Sequence, residues 1–344
     1  AQDATFLLTK PNRLTTMQSP LVTLWLLCTP FCLGSQSSEN VCGLDDCTVL
    51  LQSNHAGVKP RQAANETVID QNIFFTREQD MALADSIQEL TKRLPPGDTK
   101  DLFQSFSICG NCETWQRFGE HHDGGYLSCM DNMKNGTLLA AYSMGVEQHD
   151  KWSSDIYESF HIPVYQYDCT VSKPAQDCGD CHFFPSCLTS GKSNGMFPGK
   201  TTWTLEEAIE NSKMLNVPDR SLLMKMDVEA SEWPVLANAS IETLKKFRQL
   251  IIEFHGLDSE DRHAEYVSVM HRLLRDGGFQ VVHLHGNNCC PAYEKEGFKI
   301  PAVLELTLDA LANQLTSCQD PKDLDLDEPN NPDGVDIGPW HTEK

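Results

Sequence analysis

The chain has 344 residues, enough to bury one large core or two small ones, and its 40% hydrophobic content is that of a globular protein. A formal net charge of −22 excludes nucleic-acid binding through a basic surface. No internal repeat is visible.

The N-terminal region reads as an export signal. In "MQSPLVTLWLLCTPFCLGS" an apolar stretch from Leu21 to Leu33 precedes the small residues Gly34 and Ser35. That is short for a membrane span and suited to a signal-peptide core, with a short uncleaved Golgi anchor as the rival. The expected organisation is an upstream segment at 1–16, a signal peptide at 17–34 and an N-terminal extension at 35–76. No stable membrane span is expected, and the location would be the secretory pathway, either extracellular or the Golgi or endoplasmic-reticulum lumen. Beyond Cys28 and Cys32, twelve cysteines remain at positions 42, 47, 109, 112, 129, 169, 178, 181, 187, 289, 290 and 318. An even count at this density suits an oxidising compartment. The pairs Cys109/Cys112 and Cys178/Cys181 could form a four-thiolate zinc site, but they lie too far apart for a zinc ribbon, and disulfides are expected. Sequons stand at Asn65, Asn135 and Asn238.

Residues 77–318 are expected to form one domain. A helix is predicted within 76–94 from Met81, Ile87, Leu90 and Leu94, stopped by "PPGD". Strands are predicted at 137–144, 162–168, 181–188, 221–227, 249–255, 279–285 and 301–308, with helices at 152–160, 204–215, 231–247 and 259–277. Five strands separated by helices, then two joined without one, predict an open α/β sheet of seven strands with an antiparallel last strand. Ligands of such sheets sit beyond the carboxyl ends of the strands. That rim collects Gly145, Asp168, Asp227, Glu229, His255 and His285.

Gly145, in the turn after "AAYSM", lets backbone N–H groups approach a ligand. Asp168, ending "VYQYD" about twenty residues later, is placed to accept from ribose hydroxyls. Asp227 and Glu229 in "LLMKMDVEASEWPVL" are two acids ending an apolar strand, which demands a cation or hydrogen-bond donors between them.

These motifs resemble the FkbM-type S-adenosylmethionine-dependent methyltransferases. The resemblance rests on "KMDVEASE", "TTWTLEEAI", "LIIEFHG", and on "FGEHHDGGYLSC" with "AYSMGVEQHDKWSSDI" and "VYQYD". The last three are closer to an exported methyltransferase-like branch. It covers roughly residues 115–308 and implies a class I methyltransferase-like, Rossmann-like sheet. It further implies S-adenosylmethionine as methyl donor, held by Asp123, Ser143, Gly145 and Asp168. Asp227 and Glu229 would face the transferring methyl group and His255 would act as base, with His283 and His285 as alternatives. No metal is expected. Where the family has glycine after the second acid, this chain has Ala230, so a looser turn is expected there.

The implied reaction is methylation of an oxygen on a glycan or small-molecule acceptor. Two other classes fit parts of the sequence. A metal-dependent glycosyltransferase would use "DVE" as its acid-x-acid motif, and a catalytically inactive exported binding domain would keep only the fold. The final segment, 319–344, carries eight acids, two lysines and four prolines, and is expected to be a solvated, disordered tail.

Overall fold

The computed structural model describes residues 87–334, apart from 132, 134–135, 173–177, 192–196, 291 and 320–323. All of them fall in one compact unit spanning Thr67–Lys344. The expected segments 1–16, 17–34 and 35–76 lie outside the described residues, as do Cys42, Cys47, Asn65 and Asn135. None of the described helices is long and apolar enough to cross a membrane.

The chain enters through helices α1 (Ile87–Arg93) and α2 (Asp98–Ser105), then strand β1 (Ile108–Asn111). A hairpin follows, β2 (Trp115–Gly119) and β3 (Gly125–Cys129), turning through "EHHDG". The first strand of the main sheet is β4 (Ala140–Met144), followed by α3 (Lys151–Phe160) and β5 (Val164–Tyr167). Asp150 caps α3 by accepting from the Ser153 N–H at 3.1 Å, which sets where the helix starts. Next come β6 (Cys181–Phe184), the short strands β7 (Ser186–Leu188) and β8 (Thr201–Trp203), and α4 (Leu205–Asn211). A capping box fixes the start of α4, in which Thr204 and Glu207 satisfy each other's backbone N–H groups.

Strand β9 (Leu222–Met226) leads into α5 (Glu232–Asn238) and α6 (Ile241–Leu244). The single helix predicted over 231–247 is thus two, because Ser240 caps a new start by accepting from the Thr243 N–H at 3.1 Å. Pro234 sits in the first turn of α5, where its missing N–H costs nothing. Strand β10 (Phe247–Phe254), helix α7 (His263–His271) and β11 (Gln280–Gly286) follow. A second hairpin, β12 (Ala292–Lys295) with β13 (Phe298–Pro301), precedes β14 (Leu304–Asp309) and β15 (Asn313–Gln319).

Seven of these strands form a mixed sheet in the order β11-β14-β10-β9-β4-β5-β6. Strand β14 runs antiparallel to both β10 and β11, so the antiparallel strand is inserted between neighbours and does not lie at an edge. The fold is α/β, as the alternation of strand and helix implies. From β4 the chain moves outward to β5 and β6, then crosses back to β9 on the other side of β4. The strand order therefore reverses between β4 and β9, a topological switch point of the kind where α/β sheets bind ligands.

The two faces of the sheet differ. Ala140, Tyr142, Met144, Leu222, Met224, Met226, Leu250, Ile252, Phe254, Leu304, Leu306 and Leu308 form the main core with the helices on that side. The alternate residues point to the opposite face, where Ala141, Leu223 and Ile251 pack with Phe118, Tyr126 and Trp152 of the hairpin and α3. Toward the carboxyl ends this second face turns polar, presenting Ser143, Lys225, Asp227, Glu253, His255 and Glu305.

Disulfides join Cys109–Cys318, Cys112–Cys129, Cys169–Cys187 and Cys178–Cys181. The first ties β1 to its partner β15, and the last two staple the connection around β6. Cys109 and Cys112 bond to different partners, so the zinc alternative fails.

Candidate active site at the sheet switch point

Gly145 is where the two halves of the sheet meet. It takes φ 81°, and a Cβ there would lie 1.6 Å from the Asp227 carbonyl oxygen. Only glycine permits this approach of the β4 turn to the end of β9. The Asp227 N–H donates to the Met144 carbonyl at 2.9 Å, and Lys225 Nζ donates to the Gly145 carbonyl at 2.7 Å. Lys225, nearly buried, also lies 3.4 Å from Asp227 Oδ2. Burial opposes its charge, but the carboxylates of Asp227, Asp150 and Glu253 outweigh that and raise its pKa.

Tyr126, projecting from the hairpin, places its hydroxyl 3.2 Å from Asp227 Oδ2 and 3.3 Å from Glu253 Oε2. One hydroxyl carries one proton, so it cannot donate to two carboxylates at once. The hydroxyl therefore serves one of them at a time, and both carboxyl oxygens lie within its reach. Burial, with Asp227 and Glu305 nearby, raises the Glu253 pKa well above its ordinary value. The Asn287 amide donates to the other Glu253 oxygen at 2.8 Å.

His255 follows β10 among three acids. Its Nδ1 is 3.2 Å from Glu232 Oε1, and its Nε2 is 3.6 Å from Glu229 Oε2 and 3.8 Å from Glu253 Oε1. Burial opposes its charge, yet the hydrogen bond to Glu232 and the surrounding carboxylates raise its pKa to about 10. An imidazolium at neutral pH cannot accept a proton, so the role of general base expected for His255 does not fit this arrangement. Glu232 is wholly buried, and its Oε1 also accepts from the Val228 N–H at 2.9 Å. The His255 carbonyl accepts from Trp233 Nε1 at 2.8 Å, fixing the backbone on the same side.

Glu229 stands on the turn between β9 and α5. Both it and Ala230 adopt positive φ, 53° and 72°. The tight turn expected to loosen at Ala230 is thus kept, at the cost of a left-handed alanine. The Glu229 side chain is about half exposed, at 53%. Burial of the rest, set against attraction by His255 and repulsion by Asp227, Glu232 and Glu147, pushes its pKa up to about 7. Asp227, Glu229 and His255 each bring one ligand atom within 4.8 Å of the others, close enough to hold a metal ion.

Asp168 behaves differently from expectation. Its Oδ2 accepts from the N–H groups of Val146 and Glu147, both at 2.9 Å, and its Oδ1 from the Thr170 N–H and hydroxyl, both at 2.6 Å. All four acceptor sites of the carboxylate are thereby used within the chain. Burial would raise its pKa, but these hydrogen bonds outweigh it and hold the carboxyl below its usual range. Asp168 clamps the 145–147 turn and has no site left for a ribose hydroxyl. Ser143 is fully buried inside β4. Asp123 accepts from Asn330 Nδ2 at 3.0 Å, in the hairpin turn facing the acidic face. His283 and His285, the alternative bases, are buried beside Asp327, at 3.0 Å and 4.0 Å.

Of the residues expected at the site, Gly145, Asp227, Glu229 and His255 meet directly. Lys225, Tyr126, Glu232, Glu253 and Glu305 were not foreseen. The period-two alternation "LLMKMD", "LIIEFH" and "VLELTLD" carries the signal for three of them, because every polar residue falls in the same phase.

No family model matches the chain, and no curated protein does. Among solved structures it is similar to a "Putative hemolysin from Streptococcus thermophilus", with TM-score 0.29 and 11% identity over 56% of this chain and 65% of that one. The match therefore spans less than two thirds of that protein's chain. It is also similar to a "putative S-adenosylmethionine dependent methyltransferase from Listeria monocytogenes", with TM-score 0.29 and 14% identity over 52% of this chain and 95% of that one. At these scores neither likeness assigns an activity.

Proposed function

We propose that the switch-point crevice binds S-adenosylmethionine and that the protein methylates an oxygen of a glycan or small-molecule acceptor in the secretory pathway. The observation that carries this reading is the junction of Gly145 with Asp227. There a bare backbone turn meets an acid-lined strand end at the point where the strand order reverses. The residues fit a cationic donor, since the acids Asp227, Glu229, Glu147 and Asp123 outnumber the cations Lys225 and His255 along the rim. S-adenosylmethionine would supply an electrophilic methyl group carried on a sulfonium sulfur.

The chain's own residues divide the remaining work. Asp168 serves the donor indirectly by holding the 145–147 turn, and the ribose contact passes to Glu147, exposed on that turn. Asp227 is held at the centre of the crevice by Lys225 and Tyr126. Glu229 is the base: it is half exposed, titrates near neutrality and can take the acceptor hydroxyl's proton. His255, held by Glu232, is the adjacent fixed cation that keeps Glu229 from rising further.

The test is formation of S-adenosylhomocysteine from S-adenosylmethionine with pooled glycan and small-molecule hydroxyl acceptors, in EDTA. Turnover supports the reading, whereas its absence with every pool opposes it. A metal-dependent glycosyltransferase is the second reading, favoured by the mutual spacing of Asp227, Glu229 and His255. It requires that EDTA abolish activity and that manganese restore it with a nucleotide sugar.

A further inference from the structure

Residues 324–334, acidic and poor in apolar side chains, are docked along the acidic face. Asp327 pairs with His283 at 3.0 Å. Glu328 Oε2 accepts from the His122 N–H at 2.8 Å and lies 3.8 Å from Arg117 Nε. Asn331 donates its N–H to Asn288 Oδ1 at 2.6 Å, and its carbonyl accepts from Asn288 Nδ2 at 3.0 Å. This part of the expected disordered tail is instead held by histidines, an arginine and an asparagine that composition does not connect to it. Residues 335–344 lie outside the described residues.

Asn330, between these contacts, is only 4% exposed. Its Nδ2 donates to Asp123 Oδ1 at 3.0 Å and to Glu305 Oε1 at 2.7 Å. Two carboxylates this close to one point repel unless donors stand between them, and one amide nitrogen offers two protons. Glu305 is the register partner of Glu253 across β14 and β10. Glu253 in turn meets the Tyr126 hydroxyl and faces His255 Nε2 at 3.8 Å. A continuous line of contacts therefore runs from the strap to the centre of the crevice.

We propose that the 324–334 strap is a working wall of the site and that Asn330 is a positioning residue, holding the hairpin turn at Asp123 against Glu305. Only the ligand used as a probe depends on the methyl-donor reading. Asn330→Asp is the informative variant, because it puts a third carboxylate between two others. The titratable and charged groups around it are Asp123 and His122 from the hairpin turn, Arg117 from β2, Glu253 from β10 and Glu305 from β14, whose pKa burial pushes up to about 8. Asp327 and Glu328 add two more from the strap itself. At pH 8 the new carboxylate should expel the strap, while at pH 5 its protonated form can donate and the strap should return.

Hydrogen exchange on the full chain measures this, with rates corrected for the intrinsic pH dependence. In the wild type the His122 amide and the strap amides should be protected at both pH values. Asn330→Asp should lose at least about tenfold protection at pH 8 and regain it at pH 5, and Asn330→Ala should lose it at both. Faster exchange in the hairpin turn 119–125 and the turn 227–230 should accompany release, with S-adenosylmethionine affinity falling at least about threefold. Unchanged strap protection in both variants overturns the proposal. Release that leaves both turns unchanged shows that Asn330 only anchors the tail, and overturns the positioning role. Failure of the wild type to bind S-adenosylmethionine sinks the methyl-donor reading alone, since the exchange results need no ligand.

Discussion

Asp168 and Glu229 lie beyond the ends of strands two places apart in one sheet, and burial pushes both carboxyls upward, yet they titrate in opposite directions. Asp168 receives four hydrogen bonds from its own chain and is held below its usual range. Glu229 stands on a strained turn among other acids and rises to about 7. Partner supply decides the difference. A fully satisfied carboxylate is a structural clamp, whereas an under-satisfied one keeps capacity for a ligand or a proton.

The largest expected effect is on Glu229. Glu229→Gln should lower turnover by about 10²–10⁴-fold, the usual contribution of a general base, while donor affinity changes little. Turnover and calorimetry on the same preparation check both halves. Equal losses in affinity and turnover would make Glu229 a binding residue and erase the contrast with a base.

Gly145→Ala strikes the turn that Asp168 clamps. The added Cβ would collide with the Asp227 backbone at 1.6 Å, and φ 81° is unfavourable for alanine. A loss of about 3 kcal/mol or more in denaturant unfolding is expected. A loss below about 1 kcal/mol would show that the two strand ends are not in contact.

The two acids should also give stability opposite pH dependences. The folded pKa of Asp168 lies below its ordinary 3.8, so its contribution is complete above that value and is lost as pH falls through the folded value. The folded pKa of Glu229 lies above its ordinary 4.5, so folding gains from its protonation fully below 4.5 and loses that gain as pH rises through about 7. Unfolding of Asp168→Asn and Glu229→Gln against pH separates them. Deviations from wild type in the same direction would contradict the comparison.

Much of this was legible beforehand, for identifiable reasons. The strands of the main sheet show as apolar runs, and Gly145, Asp227 and Glu229 fall where strand periodicity ends. For Asp168, sequence shows where the carboxylate is, not how many donors already surround it. The charge on the His255 imidazole depends on Glu232 from α5 and Glu253 from β10, and neither dependence shows in the sequence. The hairpin carrying Tyr126 and the docked tail were missed because neither has a long apolar pattern. Their placement depends on polar contacts between residues as distant in sequence as His122 and Glu328.

The smallest effect concerns the left-handed alanine. Ala230→Gly should stabilise the fold by up to about 1 kcal/mol, since glycine takes φ 72° without steric cost. Thermal unfolding reads it, and a loss of stability would mean that Ala230 is not strained.

The central claim is that the crevice between β4 and β9 takes S-adenosylmethionine without a metal, with Glu229 acting after binding. Calorimetry of the full chain with S-adenosylmethionine in EDTA tests it most directly, with Glu229→Gln measured in parallel. Saturable one-to-one binding of similar affinity in both proteins is the expected result. No heat with S-adenosylmethionine, together with manganese-dependent binding of a nucleotide sugar that Glu229→Gln abolishes, would contradict it.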